Sequence, residues 1–217
     1  MIADCTALIL AGGESRRMGQ DKARVLLGEQ TLLQRVSAIV QPLFAEVIVS
    51  VRQPRADCNF PQVSDDPAHA GPLAGLAAGL ARSKTPWLFV VACDMPFVTR
   101  QLIENIDKFR EGVDAVVPVV QGYPQPMAAF YATRCLGALR EILDGSGRHS
   151  LRELLDRLNV RYVNEADLQE TDLRSFFDLD TPEDLALAEN TTDLRTGKPL
   201  TVESTEISAP AAASPCA

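Results

Sequence analysis

Residues 87–94 read WLFVVACD, seven uncharged residues closed by an aspartate. A run that is apolar throughout predicts a strand covered on both faces, as at the centre of a parallel sheet. Working outward, ALIL at 7–10 and EVIVSV at 46–51 read as further strands. Between them TLLQRVSAIV (31–40) has helical spacing, with Thr31 placed to cap it. GPLAGLAAGLARS reads as a helix starting near Pro72, its small residues allowing close packing.

Downstream, 99–110 reads as a helix, DAVVPVV (114–120) as a strand and PMAAFYAT (126–133) as another. Pro118 hints that its strand is an edge or carries a bulge, because proline has no N–H for the ladder. Helices follow around 136–144 and 150–158, then a short strand at 161–163 and a last helix at 181–189. Strands alternating with helices imply right-handed βαβ units, an α/β fold and a mostly parallel sheet. From Asn190 to the end there is no aromatic residue and the chain closes on SAPAAASPCA, so residues 190–217 read as a disordered tail after a domain of residues 1–189. No internal repeat is evident.

The net charge of −8 argues against nucleic acid or anionic membrane as a partner, since both need basic surface. No apolar run approaches the roughly 20 residues that span a bilayer, and the opening MIADC lacks the basic start of a signal peptide. The five cysteines form no CxxC pair, which predicts free thiols in a reducing cytoplasm. His69 and His149 are far apart in sequence, without a partner pattern for hydrolytic or metal chemistry.

Against that acidic background, LILAGGESRRMGQDKA (8–23) follows the first strand, and four cations (Arg16, Arg17, Lys22 and Arg24) fall within nine residues. Ligands of open α/β sheets bind at the carboxyl ends of strands, where this loop lies. Gly12 and Gly13 let the main chain turn and be approached closely, and successive N–H groups in such a turn attract anions. Arginine grips a phosphate with two parallel bonds, and lysine supplies a point charge. The bland alternative is a glycine turn followed by solvated charges. Neither GxxxxGK[ST] nor GxGxxG is present, which excludes a P-loop and a dinucleotide fingerprint.

Leu10 to Gly13, Ser15, Arg17, Met18, Gly19, Asp21 and Lys22 match the pattern L-A-G-G-x-S-x-R-M-G-x-D-K, and the chain thereby resembles the molybdenum cofactor guanylyltransferases. GPLAG (71–75), CDMP (93–96) and DLDTPEDL (178–185) follow in that family's order, so the resemblance covers residues 7–189. It implies a Rossmann-like three-layer αβα nucleotidyltransferase fold. The implied reaction moves GMP from GTP to the phosphate of molybdopterin or molybdenum cofactor, with Mg²⁺ as cofactor and pyrophosphate released. Transient contact with molybdoenzymes or other cofactor-biosynthesis proteins is implied as well.

Such a reaction needs alignment and charge neutralisation more than covalent help. Asp94, after the most apolar strand, is the candidate metal and triphosphate ligand; the alternative is a turn or helix cap, for which Thr99 is better placed. Arg17 and Lys22 are the other catalytic candidates, with Arg16 weaker. Leu10, Ala11, Gly12, Gly13, Lys22, Ser50, Asp66 and Asp94 are the nucleotide-binding candidates. Ser50 stands where relatives often carry Asn, and Asp66 doubles as an ordinary turn aspartate before Pro67. Asp178 and Asp180 stay open between metal, incoming phosphate and helix capping, because Thr181 and Asp184 form a capping box. GYPQPMAAFY (122–131), Tyr123 included, is a candidate wall for the second substrate or a plain proline-stiffened hairpin. LAGG favours guanine, whereas related cytidylyltransferases more often show LAAG. The rival readings are a cytidylyl- or sugar-phosphate nucleotidyltransferase, and an idle nucleotide-binding partner of molybdoenzymes.

Overall fold

The computed structural model describes residues 1–12, 20–64, 69, 71–147, 149–193 and 198–199. In chain order, β1 (Ile2–Leu10) leads to a small hairpin of β2 (Leu26–Leu27) and β3 (Gln30–Thr31), then α1 (Leu32–Val40) and β4 (Phe44–Val51). β5 (Gln62–Ser64), α2 (Pro72–Arg82), β6 (Trp87–Ala92) and α3 (Arg100–Asp107) follow. β7 (Ala115–Val120), β8 (Tyr123–Pro124) and β9 (Ala128–Ala132) precede α4 (Leu136–Asp144), α5 (Leu151–Arg157) and β10 (Val160–Asn164). A short α6 (Glu170–Leu173) and α7 (Pro182–Thr191) complete the domain.

The main sheet has the order β10-β7-β9-β6-β1-β4-β5, with β8 paired to β7, so the WLFVVA strand is its middle. β1 runs parallel to both β4 and β6, β4 to β5, and β10 to β7. β9 is antiparallel to both of its neighbours, which makes the sheet mostly but not wholly parallel. Residue alternation explains the unbroken apolar runs. Ala7, Ile9, Phe89 and Val91 face one core with α1 and α3, whereas Leu8, Leu10, Leu88 and Val90 face the other with α2, α4 and α5. Each fully buried aliphatic side chain of this kind contributes about 1.5–3 kcal/mol. The three-layer αβα arrangement is therefore as expected. A third, smaller core joins Val25, Leu27 and Leu32 to Phe97, Leu179 and α7.

The expected caps are present. The Thr31 side chain accepts from Gln34 N–H and Gln34 answers to Thr31 N–H; Thr99 caps α3 through Leu102 N–H. α2 begins at Gly71, whose φ of 102° suits glycine alone, and Pro72 follows as first helical residue. Further along, a Cβ on Gly79 would come within 2.4 Å of the Leu8 side chain, so the missing side chain lets α2 lie against β1.

Some expectations needed correction. Pro118 is not on an edge: β7 has β10 on one side and β9 then β8 on the other. The proline sits where pairing to β9 stops at Val116 and pairing to β8 starts at Val119, a gap that needs no N–H from it. The last helix runs two residues past the expected boundary at Glu189, and Thr192–Asp193 pairs antiparallel with Lys198–Pro199. The rest of the 190–217 stretch lies outside the described residues. Four cysteines, Cys5, Cys58, Cys93 and Cys135, are free thiols as expected. Among the described residues no helix is long and apolar enough to cross a membrane.

Candidate functional site

The ladder of the central sheet continues past its strand ends and builds the floor of a cleft. Ala11 N–H donates to the Ser50 carbonyl (2.9 Å), Cys93 N–H to that of Leu10 (3.0 Å) and Ala92 N–H to that of Met127 (3.0 Å). Three strand exits are thus locked side by side, and Asp94 follows directly on the middle one. Leu10, Ala11 and Gly12 border the cleft beside buried Ser50, and Gly71, Pro72 and Gly75 form the wall that α2 contributes. Of the stretch 122–131 only Met127 borders it; Tyr123, 72% exposed, does not line it.

Lys22 enters from the loop side. Asp21 N-caps a single 3₁₀ turn, Lys22–Arg24, by accepting from Ala23 N–H at 3.0 Å. The Lys22 ammonium donates to Asp94 Oδ2 at 2.7 Å and to Asp180 Oδ1. Burial disfavours the lysine charge, but the hydrogen bonds and attraction of these two carboxylates outweigh it and hold its pKa above the usual value. Asp180 arrives from the far end of the chain because Leu179 N–H donates to the Asp94 carbonyl at 2.9 Å. That one main-chain bond sets the DLD segment against the end of β6.

Asp184 accepts from the N–H groups of Asp180 and Thr181 and from the Thr181 hydroxyl, while Asp184 N–H returns a bond to Thr181 Oγ1. Capping and a place at the site are therefore compatible, with capping assigned to Thr181 and Asp184 and the site contact to Asp180. Asp178 keeps an exposed face, yet the protein packed around its carboxyl and the charges of Asp94 and Asp180 push its pKa up to about 7 against the pull of Lys22.

Of the residues singled out from sequence, Leu10, Ala11, Gly12, Lys22, Ser50 and Asp94 meet on this cleft. Gly13, Arg16, Arg17 and Asp66 lie outside the described residues. Sequence reasoning missed two features. Asp21 is held by Arg55, an ion pair across 34 residues that no local pattern signals. His69 and His149, far apart in sequence and without a partner pattern there, stack edge-on with ring centroids 5.9 Å apart. Each histidine Nε2 bonds a carbonyl at the end of α4, Leu143 for one and Gly145 for the other. Among the described residues no group of three or more potential metal-ligating His, Cys, Asp or Glu side chains gathers anywhere.

Residues 7–162 match the family described as the MobA-like NTP transferase domain. The chain is 36% identical over 201 residues to a probable molybdenum cofactor guanylyltransferase of Pelotomaculum thermopropionicum, covering 89% of this chain and 96% of that one. It is 33% identical over 190 residues to the molybdenum cofactor guanylyltransferase of Desulfosudis oleivorans, covering 85% and 94%. Among solved structures, the molybdopterin-guanine dinucleotide biosynthesis protein A of Archaeoglobus fulgidus superposes with a TM-score of 0.76 at 29% identity, covering 85% of this chain and 97% of that one. A nucleotidyltransferase signature, a strand-end aspartate paired to the signature lysine and these likenesses agree: the chain belongs to the MobA-like NTP transferase family.

Proposed function

We propose that the protein transfers GMP from GTP to the phosphate of molybdopterin or molybdenum cofactor. An oxygen of the acceptor phosphate attacks the α-phosphorus of GTP, the α–β anhydride bond breaks, and pyrophosphate leaves with the bonding pair. The observation that carries this reading is the Lys22 ammonium between Asp94 and Asp180 at the mouth of the central strands, beside the glycine loop. The names of the relatives supply the base and the acceptor.

Lys22 enters the reaction charged, and its elevated pKa keeps it so at neutral pH. Its compact ammonium suits phosphate oxygens, which take up the donors now directed at the two aspartates. The first turn of α2, with no side-chain cap, offers main-chain N–H groups to an electron-rich ligand along the adjoining wall. Arg17 and the main chain of Gly13 are assigned to the triphosphate by the motif, and Ser50 and Asp66 to the nucleotide. The acceptor phosphate is already an anion, so the residues have to align it and need not deprotonate it.

Two carboxylates that already share one cation are a fitting donor set for Mg²⁺, which takes one or two carboxylates and completes its shell with phosphate oxygens and water. Asp94 is the assigned ligand and Asp180 the second carboxylate within reach. The ion would neutralise charge on the triphosphate and the departing pyrophosphate. Residues 1–189 form the transferase domain in this reading. The free thiols accord with a cytoplasmic enzyme.

The deciding experiment offers purified protein each of the four ribonucleoside triphosphates with Mg²⁺ and molybdopterin cofactor, and scores pyrophosphate. Release with GTP alone is expected. Release with CTP alone would move the base assignment, and release with none would favour an idle nucleotide binder.

A further inference from the structure

We propose that Arg55 is a positioning residue for Lys22, acting through Asp21; the inference rests on the transferase reading given above. Lysine has a long, flexible stem, so an ammonium meets two carboxylates reliably only if its main chain is fixed. The two oxygens of Asp21 divide that task. Oδ1 accepts from Ala23 N–H and shapes the turn that carries Lys22, while Oδ2 takes the Arg55 Nη1 donor. Without Arg55 the outer oxygen would keep only a longer, 3.9 Å contact with the Arg24 Nε, and the carboxylate would be held less firmly against the turn it caps.

Arg55 is itself held firmly. Its side chain is only 9% exposed, and its Nη2 donates to Asp57 Oδ2 at 3.0 Å. Arg24, the last residue of the Lys22 turn, reaches that same Asp57 oxygen through Nε at 3.0 Å, so the turn is tied at both ends to one loop. Gln62 closes this loop: its Oε1 accepts from Arg55 N–H (2.8 Å), and its Nε2 donates to the carbonyls of Arg55 (2.8 Å) and Cys58 (3.3 Å). Gln62 opens β5, which pairs with β4. A continuous line of contacts therefore runs from the sheet edge through Arg55 and Asp21 to Lys22 and on to Asp94. The Arg55 Nε is buried without a hydrogen bond among the described residues, so its two Nη contacts answer for the cost of burying the charge.

The test combines a readout that needs no nucleotide with one that does. Arg55→Met, Arg55→Lys, Asp21→Asn and the double variant Arg55→Met with Asp21→Asn are acylated at limiting reagent, and lysine modification is followed by mass spectrometry. Exposed Lys84 and Lys108 in the same molecule serve as references. In the wild type Lys22 is expected to react more slowly than both. In Arg55→Met its relative rate should rise on the order of tenfold, the scale of losing a charge-assisted hydrogen bond. Asp21→Asn should do the same, the double variant no more than either single change, and Arg55→Lys should recover part of the protection. The KM for GTP should rise by a similar factor in Arg55→Met, with kcat falling less. An unchanged Lys22 labelling ratio in a variant that keeps its circular dichroism, or additive effects in the double variant, would overturn the proposal. If Arg55→Met does not fold, Asp21→Asn and Arg55→Lys probe the same link. Absence of GTP turnover in the wild type would sink the transferase reading alone, because the labelling ratio still decides the role of Arg55.

Discussion

Among the clusters that set one cation between two carboxylates, two lie at opposite ends of the same central strands. At the carboxyl end Lys22 lies between Asp94 and Asp180; near the amino end Arg110 lies between Asp4 and Asp107. Arg110 forks both Nη groups onto Asp4, at 3.0 and 3.1 Å, and its guanidinium lies 5.2 Å from the Trp87 ring centroid and 5.5 Å from that of Phe130. A planar ion held by a fork and two rings ties the segment after α3 to β1. Lys22 has no plane to satisfy and borders a cleft, with Asp180 44% exposed, so its donors can pass from aspartate to phosphate. On the proposed function, the same charge pattern serves stability at one end and chemistry at the other, and the choice of cation separates them.

The largest expected effect falls at the carboxyl end. Asp94→Asn should lower turnover on the order of a thousandfold while the melting temperature moves little, measured by pyrophosphate release and calorimetry. Near-wild-type turnover would remove the aspartate from the mechanism. Lys22→Arg keeps the charge but replaces a point with a fork, and should still cost on the order of a hundredfold in kcat/KM. Full activity in that variant would erase the distinction between the clusters. At the other end Arg110→Met should leave kcat/KM intact yet cost about 2 kcal/mol in urea unfolding, a value reduced from that of a fully buried pair because Asp4 is largely solvent-facing.

The Arg110 cluster was not legible in the chain before any coordinates, but much of the fold and part of the site were, unevenly. The runs at 7–10, 46–51 and 87–92 declared themselves because both faces of those strands are covered, and Thr31, Pro72, Thr99 and the Thr181–Asp184 box declared the helix starts. The antiparallel direction of β9 was not legible, since AAFYA is buried on both faces and carries no sign of which way it runs. β5 was missed because it has only three residues, Gln62 and Val63 half-buried and Ser64 exposed, too few to show an apolar pattern. At the site, Lys22 and Asp94 were visible through motif and strand end. Asp180 was named beside Asp178 but could not be told apart from it, because its contact depends on a main-chain bond from Leu179 across the domain rather than on any local pattern. Arg55 escaped for the same reason: its contact is with the second oxygen of Asp21, far along the chain.

The smallest effect sharpens the comparison on the pH axis. The hydrogen bonds from Arg110 hold the Asp4 carboxyl below its usual value in spite of some desolvation. The folded protein therefore binds a proton at Asp4 less readily than the unfolded chain does. This contributes stability above the unfolded pKa of about 3.9, and the contribution disappears as pH falls through the folded value. Asp107 has the opposite sign: burial raises its pKa more than Arg110 lowers it, so its ionised form is disfavoured by folding and that cost is relieved on acidification. Asp4→Asn removes the first contribution and lessens the second, because the Asp4 charge is among those that raise the Asp107 pKa. The urea midpoint of the variant should lie slightly below that of the wild type at pH 7, and the two should converge as the pH falls below about 4. A gap that stays constant from pH 7 to 3 would mean that Asp4 acts through shape rather than charge, and the fork onto Arg110 would lose its electrostatic reading.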